Sequence, residues 1–232
     1  MDARQVPEAV ETPEVAWAER VASHGLHALR DCPEMCAIDP GVERFLFLRH
    51  GQTEGNANRI YQSAEITLND SGRSQAAFAA TLLERAAVGR IVASNMQRAW
   101  ETAAIVGRKL DIEPQPHSGL RERWFGDLIG TSSANLDWSN DPPNGERVGE
   151  FVRRTLEAYK TILGEKTKGK GDTLMVAHGG NLYVLTYCLG VELTQPMIQN
   201  AAPVEFVRTQ AGWTANVLGE PAVPAKKGNL GW

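Results

Sequence analysis

The sequence predicts an α/β fold, a three-layer α/β/α sandwich with a mostly parallel central sheet. Three short apolar segments have the composition of strands buried on both faces: 45–48 (FLFL), 90–94 (RIVAS) and 173–177 (TLMVA). Longer segments with helical periodicity lie between them, at 70–86, 96–110 and 148–163. Because strands and helices alternate along the chain, helices are expected to cover both faces of the sheet.

The elements of the first half follow from local patterns. The strand at 45–48 consists only of apolar residues and ends directly before Arg49 and His50. Apolar side chains recur three or four residues apart in the next two helices, with Ala76, Ala79 and Leu83 in 70–86, and Ala99, Ala103, Val106 and Leu110 in 96–110.

The second half repeats the alternation and ends differently. The helix at 148–163 carries an apolar face with Val152, Leu156, Tyr159 and Leu163. A further helix is expected at 181–190, after the strand at 173–177. Residues 204–219 read as a hairpin that turns near Gln210–Gly212, so the last two strands are expected to be antiparallel.

The flanks differ in composition from the domain at 43–219. Residues 1–42 predict an N-terminal helical extension and linker, because Trp17, Val21, Leu26 and Leu29 would share one face of a helix at 13–30. Residues 220–232 have the composition of a C-terminal tail.

The bulk composition argues against two classes of partner. The 232 residues carry a formal net charge of -4 and no basic stripe with interleaved aromatics, so no nucleic-acid partner is expected. No apolar run approaches the roughly 18 residues of a membrane span, so no membrane partner is expected either. The chain is predicted to be cytoplasmic. Nothing in the sequence decides the oligomeric state, and a homodimer stays open.

The spacing of the cysteines and histidines does not predict a metal site. Cys32, Cys36 and Cys188 form no even disulfide framework and fit a reducing compartment. The Cys32–Cys36 spacing lacks a second Cys/His pair at zinc-site spacing, and free thiols are the favoured interpretation. His24 and His27 are interpreted as surface or packing residues. No metal and no cofactor are expected.

Two histidines follow strands in the same way. His50 and Gly51 come after the strand at 45–48, and His178 and Gly179 come after the strand at 173–177. Ligands of open α/β sheets bind outside the carboxyl ends of the strands, and a glycine lets a ligand approach the backbone. Capping or core histidines are the alternative, about equally plausible for each residue alone.

Arg98 and Glu122 add charge at the same edge. Arg98 lies in the first turn of the helix at 96–110, where a guanidinium beside the positive end of the helix dipole suits an anion. Read alone, it could be an exposed surface arginine. Glu122 stands between Arg121 and Arg123, so ion pairing could also explain it.

Taken together, these residues suit a phosphoryl group. Arg49 and Arg98 can offer forked donors to phosphate oxygens. A histidine among such cations is held neutral and can act as a nucleophile, while Glu122 donates a proton to the leaving oxygen. No metal is needed if the guanidinium groups stabilise the charge.

Five ordered blocks carry a family resemblance. They are LRHGQTEGN (48–56), LNDSGRSQA (68–76), Ser94–Ala99 with Thr102–Ala103, Leu120–Glu122 with Phe125–Gly126 and Gly130, and His178–Gly180. In this order they resemble the histidine phosphatase superfamily, in its phosphoglycerate mutase-like branch. The resemblance covers about 43–219.

The resemblance implies a role for each matching residue. His50 would accept the phosphoryl group as a covalent phosphohistidine, and Glu122 would be the proton donor. The phosphate would be held by Arg49, Asn56, Arg98, His178 and Gly179. Gln62, Trp124 and Phe125 are expected to border the substrate side of the pocket.

The family contains phosphatases and cofactor-dependent mutases. Only 56 residues separate Glu122 from His178, which leaves little room for the longer helical insertion that the mutases carry there. A phosphatase that acts on a small phosphorylated metabolite is therefore favoured, with a cofactor-dependent phosphoglycerate mutase as the alternative. A phosphate-binding regulatory protein without turnover is the second alternative, although neither His50 nor Glu122 is lost.

Overall fold

A six-stranded sheet forms the centre of the computed structural model, which describes residues 38–134, 138, 140–165 and 171–219. The strands are β1 (Arg44–Arg49), β2 (Val88–Ala93), β3 (Gln115–Pro116), β4 (Asp172–Ala177), β5 (Pro203–Thr209) and β6 (Gly212–Val217). Their spatial order is β3-β2-β4-β1-β5-β6. β1 to β4 run parallel, and β5 is antiparallel to both β1 and β6. The mostly parallel sheet and the terminal hairpin are confirmed.

Five α-helices lie in the described ranges: α1 (Glu54–Ala57), α2 (Asp70–Leu83), α3 (Gln97–Leu110), α4 (Val148–Gly164) and α5 (Gly179–Leu189). Four match predicted helices. α2 ends three residues before the predicted end at 86, and α5 begins two residues before the predicted start at 181. The one-turn helix α1 was not predicted, because a single capped turn has no periodicity to detect.

The alternation of β1 divides the core into two layers. Successive residues of a strand point to opposite faces of the sheet. On one face, Phe45 and Phe47 pack with Phe151 of α4 and Leu182 of α5. On the other face, Leu46 and Leu48 therefore pack with Ala79 and Leu83 of α2 and with Ala103 and Val106 of α3. This arrangement is the predicted α/β/α sandwich.

The chain before β1 contributes to the core. Ile38, which falls in the predicted linker, is buried with the α4 and α5 layer. The predicted helix at 13–30, His24, His27, Cys32, Cys36 and the tail at 220–232 lie outside the described residues. The domain boundaries at 43 and 219 stay predictions.

Within the described ranges, no helix combines the length and the apolar character that crossing a membrane would need.

Candidate active site

A cavity of about 150 Å³ opens at the carboxyl ends of the parallel strands. His50 directly follows β1, Ser94 follows β2 and His178 follows β4, so the topology brings these residues to one edge of the sheet. The cavity is lined by Arg49, His50, Asn56, Ile60, Tyr61, Gln62, Arg98, Glu122, Phe125, Ser133, Trp138, Gly179, Gly180, Tyr183 and Ile198. Eight of the ten residues predicted for the site therefore line one cavity, all except Trp124 and His178. His178 lies against His50 beside the cavity, with their ring centroids 5.1 Å apart.

Hydrogen bonds fix the tautomer of the buried His50 ring. Nδ1 lies 2.7 Å from the Gly51 carbonyl oxygen, which can only accept, so Nδ1 carries the hydrogen. Nε2 accepts a hydrogen bond from Arg98 Nε at 3.2 Å. The lone pair of His50 is therefore on Nε2, the atom that a nucleophile at this position would use.

The surroundings of His50 keep its ring neutral. Burial lowers the pKa of His50 well below its usual value, and the positive charges of Arg98 and Arg49 lower it further. The imidazole keeps its lone pair in mildly acidic solution as well as at neutral pH.

Two buried guanidinium groups provide the positive charge of the site. Arg98 donates from Nη1 to the Ser63 carbonyl at 2.9 Å, and burial lowers its pKa to about 10, so it remains protonated at neutral pH. Arg49 donates from Nη1 to the Ile198 carbonyl at 2.5 Å. Its buried Nε has no partner among the described residues, and a ligand oxygen would satisfy this donor.

His178 is completely buried beside His50. Its Nε2 lies 2.9 Å from Ser94 Oγ, and this oxygen already accepts from the Met96 amide. The serine hydrogen can therefore point to Nε2, which places the histidine hydrogen on Nδ1. Nδ1 is buried without a partner in the described part of the chain, so it can donate to an anion.

Burial also lowers the pKa of His178 well below its usual value, and Arg98 and His50 add to this effect. Both histidines are thus neutral.

The Glu122 carboxylate is held by two backbone amides. Oε1 accepts from the Arg123 amide at 3.0 Å, and Oε2 accepts from the Gly180 amide at 3.2 Å. Arg123 instead forms its ion pair with Asp141 at 2.7 Å, so the alternative that Glu122 serves only as a partner for Arg123 is not what the structure shows.

The backbone that carries Glu122 is fixed by Arg154 of α4. Its Nη1 donates to the carbonyls of Gly119 (3.1 Å) and Arg121 (2.8 Å), and its Nη2 donates to the Glu122 carbonyl at 3.0 Å. Glu146 pairs with the same guanidinium through both carboxylate oxygens, at 2.5 and 2.8 Å. All three guanidinium nitrogens of Arg154 therefore donate hydrogen bonds that hold this segment.

Asn56 and Gln62 border the cavity around α1. Asn56 Oδ1 accepts from the Thr53 amide at 3.2 Å and from Asn200 Nδ2 at 3.4 Å. Because these bonds end on the oxygen, the Nδ2 donor of Asn56 is left for a ligand. Gln62 Oε1 accepts from Thr53 Oγ1 at 2.5 Å, which fixes the side chain at the cavity wall.

Two expectations about the site need correction. Gly51 does not provide clearance for a ligand: a Cβ there would lie 2.4 Å from the Gly72 carbonyl oxygen, so the residue must be small to let α2 approach. Trp124 does not line the cavity. It is 44% exposed and donates from Nε1 to the Asn144 carbonyl, whereas Phe125 does border the cavity.

Several residues of the site were not identified from the sequence: Ser94, Trp138, Glu146, Arg154, Tyr183 and Asn200. Arg154 had a detectable signal, since it falls beside Phe151 and Ala158 on the buried face of α4, where an arginine requires partners. Trp138 and Tyr183 reach the cavity through long-range packing that no local pattern encodes.

No group of three or more His, Cys, Asp or Glu side chains in the described ranges is arranged to hold a metal ion. The expectation of no metal and no cofactor stays a prediction.

The family model described as "Histidine phosphatase superfamily (branch 1)" matches residues 45–221. The chain belongs to this superfamily.

Superfamily relatives carry different names. An agropine synthesis reductase of Rhizobium rhizogenes is 29% identical over 204 residues, which cover 82% of this chain and 45% of the relative. A glucosyl-3-phosphoglycerate phosphatase of Mycolicibacterium vanbaalenii is 32% identical over 167 residues, covering 64% of this chain and 74% of the relative. The chain thus spans less than half the length of the reductase that it matches.

Solved structures share the fold. A mycobacterial glucosyl-3-phosphoglycerate phosphatase in complex with VO3 superposes with a TM-score of 0.64 and 23% identity, covering 78% of this chain and all of that chain. At this identity the likeness establishes the fold and not the substrate.

Proposed function

We propose that the protein is a metal-independent phosphatase that hydrolyses a phosphomonoester through a covalent phosphohistidine on His50. The observation that carries the proposal is the tautomer of His50: its Nδ1 hydrogen is bound to the Gly51 carbonyl, so the lone pair is on Nε2. The guanidinium groups of Arg98 and Arg49 lie close enough to act on this ring electrostatically. Such a nucleophile needs no deprotonation step before it attacks an electrophile, and the cations favour a phosphoryl group as that electrophile.

In the first half-reaction, His50 Nε2 attacks phosphorus and the bond from phosphorus to the alcohol oxygen breaks. Glu122, in its protonated form, gives its proton to that oxygen, so a neutral alcohol leaves. Arg49, Arg98 and His178 Nδ1 donate to the phosphoryl oxygens, on which charge develops.

In the second half-reaction, water attacks the phosphorus of phosphohistidine. Glu122, now a carboxylate, accepts a proton from the water while the bond from Nε2 to phosphorus breaks. The hydrogen on His50 Nδ1 stays hydrogen-bonded to the Gly51 carbonyl throughout. The imidazole that leaves phosphorus is therefore already the neutral tautomer. Inorganic phosphate is released and Glu122 is protonated again.

Hydrolysis is favoured over phosphoryl transfer between positions of one substrate. Between Glu122 and His178, the described residues contain one α-helix, α4, which packs on the sheet instead of covering the cavity. The lack of a covering helix in the described part of this segment supports attack by water on the phosphohistidine. A relative that covers about two thirds of this chain is also named a phosphatase.

The size of the cavity supports a small substrate. About 150 Å³ accommodates a phosphoryl group and a compact alcohol, which supports a small phosphorylated metabolite as the partner, and a larger cavity of about 720 Å³ lies on the other side of Glu122. The expectations of a cytoplasmic protein, of a homodimer, and of no nucleic-acid or membrane partner stay predictions.

Hydrolysis of p-nitrophenyl phosphate by the full chain tests the proposal. Wild type is expected to turn over and to form an acid-labile phosphoenzyme when quenched in base, whereas His50→Ala is expected to do neither. His117→Asn is the matched control, because His117 lies outside the cavity. Equal background rates in wild type and His50→Ala would contradict an enzyme. Isomerisation of 3-phosphoglycerate that depends on a bisphosphoglycerate primer would favour the mutase instead.

A further inference from the structure

The catalytic cavity has two chemically different halves. The half nearest the sheet holds Arg49, His50 and Arg98. The other half is apolar and mostly aromatic, and it consists of Ile60, Tyr61, Phe125, Trp138 and Tyr183. Ile198 also lines the cavity beside Arg49, which donates to its carbonyl. A phosphoryl group bound against His50 would therefore direct its alcohol part toward the aromatic half.

The aromatic rings of this half support one another. Trp138 and Tyr183 are nearly parallel, with an interplanar angle of 9° and centroids 6.5 Å apart. The ring centroid of Phe125 lies 4.5 Å from that of Tyr61. It lies 6.2 Å from that of Trp138, with the two rings edge to face. Trp138 packs in turn against the buried Phe151 at 5.7 Å. We call Tyr61, Phe125, Trp138 and Tyr183 the aromatic wall. Rings held in this way offer a surface for stacking at low entropic cost.

Positive charge is confined to the phosphoryl end of the cavity. Among the described lining residues, only Arg49 and Arg98 are cationic, and both are anchored next to His50 by the carbonyls of Ile198 and Ser63. A second anionic group on the substrate would meet the aromatic wall or the Glu122 carboxyl group, without a cation of its own.

The guanidinium group next to the aromatic wall, that of Arg123, does not change this. Arg123 stacks on the rings of Phe125 and Trp138, at 5.8 and 5.5 Å from their centroids. It lines a neighbouring cavity and not the catalytic one. Its Nη2 pairs with Asp141 at 2.7 Å, which matches its charge, and its buried Nη1 has no hydrogen-bond partner among the described residues.

We propose that the substrate is a phosphomonoester whose alcohol part is uncharged and carries an apolar ring face, which packs against the aromatic wall. This inference rests on the proposed function and names its substrate class. Stacking rewards the ring, and an anionic group on the alcohol is rejected because it would be desolvated without a partner. Phosphoglycerates, which carry a carboxylate, are thus poor ligands.

Binding of non-hydrolysable phosphonates to the full chain tests the ligand class without turnover. Benzylphosphonate, ethylphosphonate and 4-carboxybenzylphosphonate share the phosphoryl-like group and differ in the ring and in one charge. By isothermal titration calorimetry, benzylphosphonate is expected to bind about tenfold more tightly than ethylphosphonate. The carboxylate is expected to weaken the benzyl compound by about tenfold or more. Equal affinities for the three compounds would overturn the inference.

Two substitutions locate the preference. Trp138→Ala is expected to remove most of the difference between benzylphosphonate and ethylphosphonate, chiefly by weakening the binding of benzylphosphonate. Trp124→Ala, which removes an indole outside the cavity, is the matched control and is expected to keep the difference. If Trp138→Ala does not fold by circular dichroism, Tyr61→Leu serves the same purpose. A full preference in a folded variant of the wall would contradict its role.

Turnover separates this inference from the proposed function. Benzyl phosphate and ethyl phosphate have alcohols of similar basicity, so their rates report binding of the ring more than leaving-group chemistry. Preferential binding of benzylphosphonate with no hydrolysis of either ester would defeat the proposed function and leave the ligand class standing. Hydrolysis of both esters with equal kcat/KM and equal phosphonate affinities would do the reverse.

Discussion

The position of the Glu122 carboxylate depends on a residue without a side chain. A Cβ at Gly180 would lie 2.4 Å from Glu122 Oε1, 2.9 Å from Trp138 Cη2 and 3.0 Å from Phe151 Cζ. The Gly180 amide also donates to Oε2 of the same carboxylate. Gly180 therefore donates a hydrogen bond to the proposed acid, and its lack of a side chain leaves room for the carboxylate of that acid.

Gly180→Ala is expected to move the carboxylate and to slow hydrolysis where protonation of the leaving group matters. For benzyl phosphate, kcat is expected to fall by on the order of tenfold or more. For 2,4-dinitrophenyl phosphate the loss is expected to be smaller, because that leaving group needs little help from an acid. Steady-state kinetics on the two substrates check this.

Gly164→Ala is the control, since nothing lies within 4 Å of the added Cβ. Equal losses for both substrates in Gly180→Ala would contradict the role of Glu122 as the proton donor.

At the level of single residues, the sequence was informative where chemistry is local to a strand end. His50 and His178 could be placed because a strand directly precedes each, and Arg98 because a helix begins beside it. The direction of the His50 lone pair could not be predicted, since it depends on how the ring meets the Gly51 carbonyl. The position of Trp124 could not be predicted either, because adjacent residues in an irregular segment can face opposite sides.

Helix α4 links the hydrophobic core to the site. Its apolar face packs on the sheet through residues such as Phe151 and Tyr159, and Arg154 projects to the segment that carries Glu122. One helix thus packs on the sheet and also holds the backbone that carries Glu122.

Arg154→Ala is expected to lower the free energy of unfolding by about 2 kcal/mol, because it leaves Glu146 and three carbonyls without their donor. It is also expected to lower kcat for benzyl phosphate more than for 2,4-dinitrophenyl phosphate, since Glu122 loses its support and His50 does not. Urea unfolding and steady-state kinetics measure the two effects. Arg154→Lys is expected to recover part of both.

The neighbouring Arg153 provides the matched control. It is exposed and pairs with Glu157 at 3.9 Å, a contact of small energetic value. Arg153→Ala is therefore expected to leave stability and both rates near those of wild type. An effect of similar size in the two alanine variants would argue against a specific role of Arg154.

Helices and strands with a clear apolar periodicity could be predicted from the sequence. Elements that depend on specific side-chain or long-range contacts could not. The apolar stripe of α4 predicted its length to within one residue, because burial repeats every turn. By contrast, α1 consists of one turn that is held by the Thr53 side chain and the Asn56 amide. The bridge between Ile60 and Ser132 joins residues far apart in the sequence, and no local pattern indicates it.

For the whole molecule, the site is a source of pH sensitivity. His50 and His178 are buried, and the pKa of each is lowered well below 6.5 in the folded state. The unfolded chain binds protons at these residues below about pH 6.5, whereas the folded chain does not. Acidification therefore favours unfolding between pH 6.5 and the lowered pKa values.

The free energy of unfolding is expected to fall as the pH drops from 7 to 5.5, with each histidine contributing a limiting slope of about 1.4 kcal/mol per pH unit. Chemical denaturation at half-unit steps of pH measures this slope. In His50→Asn the slope is expected to be smaller, since one of the two groups no longer titrates. A slope that is unchanged in this variant would contradict a neutral His50 in the folded protein.

The order of the strands has a consequence for where the molecule opens first. β1, which delivers Arg49 and His50, is hydrogen-bonded on both sides, to β4 and to β5, and it is covered by both helical layers. Its amides are expected to exchange with solvent through global opening of the domain, whereas the hairpin edge at β6 is expected to fray on its own. The proposed nucleophile thus follows one of the two central strands, β1 and β4, each of which is hydrogen-bonded on both sides, so fraying at the hairpin edge leaves its geometry intact.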